Sequence, residues 1–177
     1  MMSQPLAERL RPKTLDDYIG QKHLVGQGAV LRKMIDAGRV PSFILWGPPG
    51  VGKTTLAQII ANKLDAPFYT LSAISSGVKD VREVIEKAKS NRFFNTVSPI
   101  LFIDEIHRFS KSQQDSLLNA VETGVVTLIG ATTENPSFEV IRPLLSRCQV
   151  YVLKSLDKND LLTLLHKAIA EGVVLEG

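Results

Sequence analysis

The stretch that decides the fold runs from Phe43 to Thr55 and reads FILWGPPGVGKTT. Its first four residues are apolar and are followed at once by glycine and proline, which predicts a short buried strand that ends at a turn. Apolar residues then recur at helical spacing between Lys53 and Leu64, so this segment is predicted to be a helix. The whole stretch is therefore interpreted as a strand, a loop and a helix.

The loop carries a phosphate-binding pattern. Residues Gly47 to Thr54 fit G-x-x-x-x-G-K-[ST] in the required strand–loop–helix context. Glycines allow backbone N–H groups to converge on phosphate oxygens, and the helix that begins near Lys53 directs its positive dipole end at the same anion. Lys53 supplies a mobile charge, and the Thr54 hydroxyl is suited to ligate Mg²⁺. The predicted nucleotide contacts are Gly47, Pro48, Pro49, Gly50, Val51, Gly52, Lys53, Thr54 and Thr55.

Further strands alternate with helices along the chain. Short apolar runs predict strands, and segments with helical periodicity separate several of them. This alternation predicts an open, mostly parallel sheet with helices on both faces. The predicted strands after the first are Phe68–Leu71, Ile100–Ile103, Val126–Ala131 and Val150–Leu153.

Two carboxylates follow the third predicted strand. Asp104 and Glu105 come directly after Ile100–Ile103, and the carboxyl ends of strands are where open parallel sheets bind ligands. Asp104 is predicted to hold Mg²⁺, directly or through water. Glu105 is predicted to accept a proton from an attacking water or to orient it. Together with the loop, this pair favours hydrolysis of a nucleoside triphosphate over binding alone.

Composition sets limits on the class of protein. The 177 residues are 44% hydrophobic and 22% charged, as in ordinary globular proteins. No apolar run approaches the roughly 20 residues that cross a bilayer, and the polar start predicts no secretion signal. The single cysteine, Cys148, fits a reducing cytoplasm and is interpreted as a small buried residue. The net charge of +3 permits a nucleic-acid partner without requiring one.

Four segments together resemble the AAA+ ATPases of the clamp-loader branch. They are Arg11–Gln21, the glycine loop, the strand that ends in Asp104-Glu105, and Ser146-Arg147-Cys148. The resemblance implies a P-loop NTPase fold, with a five-stranded parallel sheet, helices on both faces, and ATP and Mg²⁺ as cofactors. It also implies a nucleotide-binding domain over residues 1–155, in which residues 1–40 flank the adenine. Residues 156–177 would begin an incomplete helical lid.

Longer strings narrow the resemblance to members of this branch that work in replication and recombination. These strings are LWGPPGVGKTTLA, SGVKDVREVIEKA, DEIHRFSKSQQD and GATTENPSFEV. They imply an ATPase that acts on single-stranded or forked DNA at stalled forks, in the cytoplasm at the nucleoid. The full-length parent would be a homo-tetramer with replication proteins as further partners, and this fragment would be weakly active.

The resemblance also implies roles for individual residues. Tyr18 and Ile19 would flank the adenine. Thr133 would sense the γ-phosphate, with Thr132 as the alternative if the register slips by one, and Ser72 could hold Glu105 inactive. The arginine Arg147 would reach the nucleotide of a neighbouring subunit, where a planar guanidinium can neutralise charge on the transferred phosphoryl group. Candidate DNA contacts are Lys79, Arg82, Arg108 and Lys111, near a serine- and glycine-rich approach to a predicted helix.

Two other functions remain open at this point. The string Asp-Glu-Ile-His, which ends at His107, also occurs in DExH-type helicases, although Ser-Ala-Thr does not follow the next strand. A nucleotide-switched interaction module without significant turnover is the second alternative. Glu105 and Arg147 argue against it, because a protein that only binds nucleotide needs neither residue.

Overall fold

A computed structural model of the protein describes residues 11–91 and 97–170. Within these residues, a five-stranded sheet has the order β2-β3-β4-β1-β5, and every pair of neighbouring strands is parallel. The predicted fold class, an α/β P-loop NTPase core with a five-stranded parallel sheet, is therefore confirmed. The strands are β1 (Phe43–Trp46), β2 (Phe68–Ser72), β3 (Ile100–Asp104), β4 (Thr127–Thr132) and β5 (Gln149–Val152).

Helices precede the sheet, connect its strands and follow it. The 3₁₀-helix Ile106–Arg108 lies directly after β3. Sequence periodicity did not predict the two short helices before β1 or the two between β4 and β5, since each is too short to show a repeated apolar stripe. The helices are α1 (Lys22–Val25), α2 (Val30–Asp36), α3 (Lys53–Leu64), α4 (Val78–Asn91), α5 (Lys111–Glu122), α6 (Pro136–Glu139), α7 (Arg142–Leu145) and α8 (Lys158–Ala170).

The core forms two layers, one on each face of the sheet. Successive side chains of β3 alternate between them, with Phe102 in one layer and Leu101 and Ile103 in the other. The first layer buries Leu31 of α2 and Leu56 of α3, among others. Helices α4, α5 and α7 cover the opposite face. Helices therefore lie on both faces, as the alternation of elements predicts.

Strand boundaries differ from the predictions by one residue. Strand β4 begins at Thr127 and not at Val126, because the Val126 N–H still bonds to Ala120 O in the turn after α5. Strand β4 also extends one residue further, to Thr132, which places Thr133 directly beyond its carboxyl end. Within the described residues, no helix is both long enough and apolar enough to span a bilayer.

Candidate active site

The glycine loop joins β1 to α3 and depends on left-handed backbone conformations. Gly50 and Gly52 have φ angles of 79° and 86°, a region that residues with a Cβ adopt only at a cost. Gly52 is the N-cap of α3, so the first N–H groups of this helix lie beside the loop. A chain with this geometry can surround an anion with backbone donors.

Gly47 allows the loop to leave the sheet close to β5. A Cβ at this position would lie 2.7 Å from Cβ of Leu153 and 2.9 Å from its carbonyl oxygen. The Gly47 N–H bonds to Thr132 O, and the Leu153 N–H bonds to Trp46 O. The base of the loop is thus held between β4 and the residue that follows β5.

Lys53 lies folded over the loop. Its Nζ donates a hydrogen bond to Pro48 O at 3.0 Å. Burial lowers the pKa of Lys53 below its ordinary value, while the negative charge of Asp104 acts in the opposite direction. A lysine that is partly desolvated and bonded only to a neutral carbonyl can gain a stronger partner when an anion enters.

The two predicted carboxylates lie at the carboxyl end of β3 in different conformations. Asp104 is exposed and ends the strand. Glu105 has a φ of 52°, and a non-glycine residue in this region often marks a functional site. Its carboxylate forms an ion pair with Arg108, with Oε2 3.5 Å from Nε. The turn therefore directs the two side chains differently, and Arg108 is the partner that the structure records for Glu105.

The two threonines at the end of β4, Thr132 within the strand and Thr133 directly after it, have distinct environments. Thr132 is buried, and its Oγ1 lies 2.9 Å from Nδ1 of His107 and also bonds to the backbone of Glu134. Thr133 is exposed and faces the same cleft as Lys53. The geometry therefore favours Thr133 over Thr132 as the residue available to a ligand. His107 therefore serves as a hydrogen-bonding partner of the buried Thr132.

These residues meet in one cleft of about 650 Å³ at the carboxyl edge of the sheet. Strand β4 lies between β1 and β3, so the side chain after β4 enters between the loop and the carboxylates. Ligands of open α/β sheets bind at this edge. The cleft is lined by Arg11, Pro12, Pro49, Gly50, Gly52, Lys53, Thr54, Thr55, Asp104, Glu105, Thr133 and Leu164.

A smaller apolar pocket of about 120 Å³ adjoins the cleft and shares several of its residues. Tyr18 and Ile19, the two residues predicted to flank the adenine, both line this pocket. The Tyr18 hydroxyl donates to Val51 O at 2.7 Å, and burial raises the pKa of this phenol well above its ordinary range. Tyr18 therefore holds the glycine loop through this hydrogen bond, and its phenol stays protonated.

Two leucines that line this pocket were missed by the sequence analysis. Leu156 and Leu164 line it, and Leu164 also reaches the cleft. Both residues come from the segment around α8, and the sequence analysis assigned a role to neither of them. No local signal distinguishes them from Leu161 or Leu165, which are exposed. Arg11 and Pro12 were likewise part of a quoted motif but had no assigned role.

The cleft can accept Mg²⁺ with a nucleotide. The Thr54 hydroxyl and the Asp104 carboxylate are hard oxygen donors of the kind this ion prefers, and both line the cleft. In residues 11–91 and 97–170, no group of three His, Cys, Asp or Glu side chains forms a metal site. Two protein oxygens suffice for Mg²⁺, since it usually keeps several waters and binds substrate phosphates.

Three other groups of predicted residues lie outside the cleft. Arg147 bonds within its own chain, to Glu122, Pro143 and Ser146. The carbonyl of Ser72 accepts backbone bonds from Ser75 and Ser76 at the end of β2. The candidate DNA contacts Lys79, Arg82, Arg108 and Lys111 are all exposed.

One detail of the predicted DNA site needs correction. The serine- and glycine-rich approach to α4 suggested backbone N–H groups that could face a phosphate. The Gly77 N–H instead donates to the Asp80 carboxylate at 2.7 Å, because this side chain caps the helix. The backbone there is therefore less available to a phosphate than the sequence suggested.

The fold and site define the class of this protein. Residues 43–156 match the family model described as "ATPase family associated with various cellular activities (AAA)", so the chain belongs to the AAA family. The predicted resemblance to AAA+ ATPases is confirmed. The match runs from Phe43, the first residue of β1, to Leu156, which lines the apolar pocket.

More specific similarities point to proteins of replication and recombination. The chain is 54% identical over 168 residues to replication-associated recombination protein A of Escherichia coli, covering 95% of this chain and 37% of that protein. It is 52% identical over 165 residues to ATPase WRNIP1 of Dictyostelium discoideum, covering 93% of this chain and 19% of that protein. The narrower resemblance carried by the longer strings is therefore also confirmed, and the chain spans 37% of the length of the bacterial relative.

A solved structure shares the fold. The Thermotoga maritima RuvB Holliday junction branch migration motor superposes with a TM-score of 0.74 at 31% sequence identity. The match covers 92% of this chain and 54% of the RuvB chain. This similarity agrees with the assignment to an AAA ATPase core.

Proposed function

We propose that this chain is the nucleotide-binding core of a Mg²⁺-dependent ATP hydrolase that works on DNA in replication and recombination. The observation that carries the proposal is the meeting of Lys53, Asp104, Glu105 and Thr133 in one cleft beside an apolar pocket. Elements far apart in the chain supply these residues. A cleft with cationic, metal-binding and proton-accepting groups next to an apolar pocket has the features that a nucleoside triphosphate requires.

The proposed roles follow from position and chemistry. The loop amides and Lys53 bind the phosphates, and Ile19 and Tyr18 bound the base. Thr54 and Asp104 hold Mg²⁺, which would neutralise charge on the phosphates when bound. Glu105 orients the attacking water and accepts its proton, and Thr133 contacts the γ-phosphate or that water.

The substitution Glu105→Gln tests hydrolysis directly in the full-length parent. The amide keeps the shape of the side chain but cannot take a proton, so ATP binding should persist while turnover falls by about 100-fold or more. Glu83→Gln is the matched control, because Glu83 is exposed on α4 and outside the cleft. Unchanged turnover in Glu105→Gln would refute the mechanism. Absence of turnover in the unaltered protein would favour a nucleotide-switched interaction module.

DNA and other copies of the chain are the proposed partners. One relative is named replication-associated recombination protein A, and the similar solved structure is named a Holliday junction branch migration motor. Four exposed cations of this chain could bind phosphates without reading sequence. The ATPase rate of the parent with and without single-stranded and forked DNA, at several salt concentrations, tests this partner. A stimulation that falls steeply with salt is expected. A rate independent of DNA would argue against it.

The proposed organisation is that of a ring or tetramer in the full-length parent, working on DNA in the cytoplasm at the nucleoid and at stalled forks. In this proposal, residues 1–155 form the nucleotide-binding domain and residues 156–177 begin a helical lid. Residues 1–10, 92–96 and 171–177 of these two ranges lie outside the described residues. Replication proteins are further candidate partners. The isolated chain should hydrolyse ATP weakly, because Arg147 is proposed to complete the site of a neighbouring subunit.

A further inference from the structure

A buried amide connects two segments of the chain that line the apolar pocket. The side chain of Gln21 is only 5% exposed, and both of its polar atoms bond to the backbone of one residue. Its Nε2 donates to Lys154 O at 2.6 Å, and its Oε1 accepts from Lys154 N at 2.9 Å. These two partners are 133 positions apart in the chain. Such a paired contact fixes both the distance and the orientation of the two segments.

The contact takes the place of a neighbouring strand. Strand β5 bonds to β1 on one side, and the Leu153 N–H points toward Trp46 O. Because backbone groups alternate along an extended chain, those of Lys154 point to the opposite side, where no described strand lies. The His23 ring bonds to Val152 O on this same side, with Nε2 2.8 Å from the oxygen. Gln21, the N-cap of α1, and His23 of α1 thus cover the outer edge of β5 and the residues directly after it.

The two connected segments are the ones that carry the pocket. Ile19 comes two residues before Gln21, and Leu156 comes two residues after Lys154; both line the pocket. Gly20 allows these two segments to approach each other closely, because a Cβ there would lie 2.8 Å from Cδ2 of Leu156. The backbone of Gln21 has a φ of 57°, a conformation that persists only where surrounding contacts impose it.

We propose that Gln21 is the positioning residue of the base pocket, because it fixes the segment that carries Ile19 against the segment that carries Leu156, and both of these residues line the pocket. The inference rests on the proposed function, since it requires that the cleft binds a nucleotide. Gln21 contacts neither the base nor the phosphates in this scheme. It acts by joining the segment before β1 to the connection between β5 and α8, so that base binding also fixes the start of α8.

The test compares two ligands that share phosphates and differ in the base. ATP and inorganic tripolyphosphate would both use the glycine loop, but only ATP uses the pocket. Binding can be followed by the fluorescence of Trp46, the one tryptophan of the sequence, which ends β1 just before the loop. We expect Gln21→Glu to weaken ATP binding about tenfold, since it loses the donor to Lys154 O and places a charge in a buried site. Tripolyphosphate affinity should stay within about twofold.

Two controls separate this role from a general effect. Lys154→Ala should bind both ligands like the unaltered chain, because the exposed Lys154 contributes only backbone atoms to the contact. Lys53→Ala should weaken both ligands, because it removes a charge that they share. If the Gln21→Glu variant binds ATP with normal affinity, or if its affinities for ATP and tripolyphosphate fall equally, the inference is overturned. If the unaltered chain binds tripolyphosphate but not ATP, the proposed function fails and the inference falls with it.

A second measurement covers the case in which the variant does not fold. Gln21→Asn tolerates the same backbone conformation but is too short to reach both atoms of Lys154, so it should reproduce the selective loss of ATP affinity. In the unaltered chain, ATP should slow amide hydrogen exchange in residues 154–164 more than tripolyphosphate does. Equal slowing by both ligands would show that the pocket side of the junction does not respond to the base, and would refute the inference.

Discussion

Arg147 forms an ion pair with Glu122 of its own chain, with 2.6 Å between Nη2 and Oε1. Its Nη1 also donates to Pro143 O and to Oγ of Ser146. Both charged side chains are partly exposed, at 42% and 35%. This guanidinium lies outside the cleft of its own chain, so it could contact a nucleotide only in the site of another subunit. This geometry supports the proposed role of Arg147 in a neighbouring subunit's site.

Arg147→Ala should abolish most turnover in the full-length oligomer without weakening ATP binding. An arginine that completes a neighbour's site in phosphoryl transfer contributes about 10³- to 10⁵-fold in rate, so a loss of at least about 10³-fold in kcat is expected. Steady-state hydrolysis and equilibrium nucleotide binding are the measurements. Arg39→Ala is a suitable control, since Arg39 is exposed just before β1 and outside the cleft.

Mixed oligomers distinguish action in a neighbour from action within the chain. Subunits with Arg147→Ala keep an intact loop, and subunits with Lys53→Ala keep an intact arginine, so some shared interfaces regain a complete site. Activity should therefore recover at intermediate mixing ratios. If no ratio yields more turnover than either variant alone, the arginine does not act in the neighbouring subunit.

Local patterns predicted the parts of this site that lie within one strand–loop–helix unit. The glycine loop, Lys53 and the Asp104-Glu105 pair were found in this way, because their chemistry requires particular residues at fixed spacing. Contacts between distant segments gave no such signal. Leu164 has the same helical spacing as its exposed neighbours, and only the position of α8 over the loop brings it to the cleft. Gln21 looks like an ordinary polar residue until Lys154 is placed beside it.

Gly52→Ala should destabilise the chain more than Gly124→Ala. Both glycines have left-handed φ angles, 86° and 74°, so both variants carry the backbone cost of about 1–2 kcal/mol. A Cβ at Gly52 would also lie 3.2 Å from the Tyr18 ring, whereas Gly124 has nothing within 4 Å. Urea unfolding of the two variants measures the difference, and equal losses would show that the Tyr18 contact adds nothing.

Cys148 should react slowly with alkylating reagents in the folded chain. Burial raises the pKa of its thiol from 9.0 to about 11, so at pH 8 the thiolate fraction falls about 100-fold relative to an unperturbed cysteine. The rate of iodoacetamide labelling in buffer and in denaturant measures this. The same shift stabilises the folded state below pH 9, and this contribution is lost as the pH rises from 9 to 11. If labelling were as fast in buffer as in denaturant, burial would not raise the pKa of the Cys148 thiol in the folded chain.

Thr132, the last residue of β4, and Thr133, the residue after it, should have separable roles. The Thr132 hydroxyl bonds to Nδ1 of His107 and to the backbone of Glu134, and Thr132→Val leaves these groups without that partner. The free energy of unfolding should therefore fall by about 1–3 kcal/mol. Thr133→Val removes an exposed hydroxyl that faces the cleft, so stability should change by no more than about 0.5 kcal/mol. Turnover in the full-length parent should nevertheless fall by about 100-fold, because the γ-phosphate or the water loses a donor. Urea unfolding and ATPase assays on the same two variants give the comparison. Normal turnover in Thr133→Val, together with a loss of turnover in Thr132→Val that exceeds its loss of folded protein, would assign the sensing role to the buried residue.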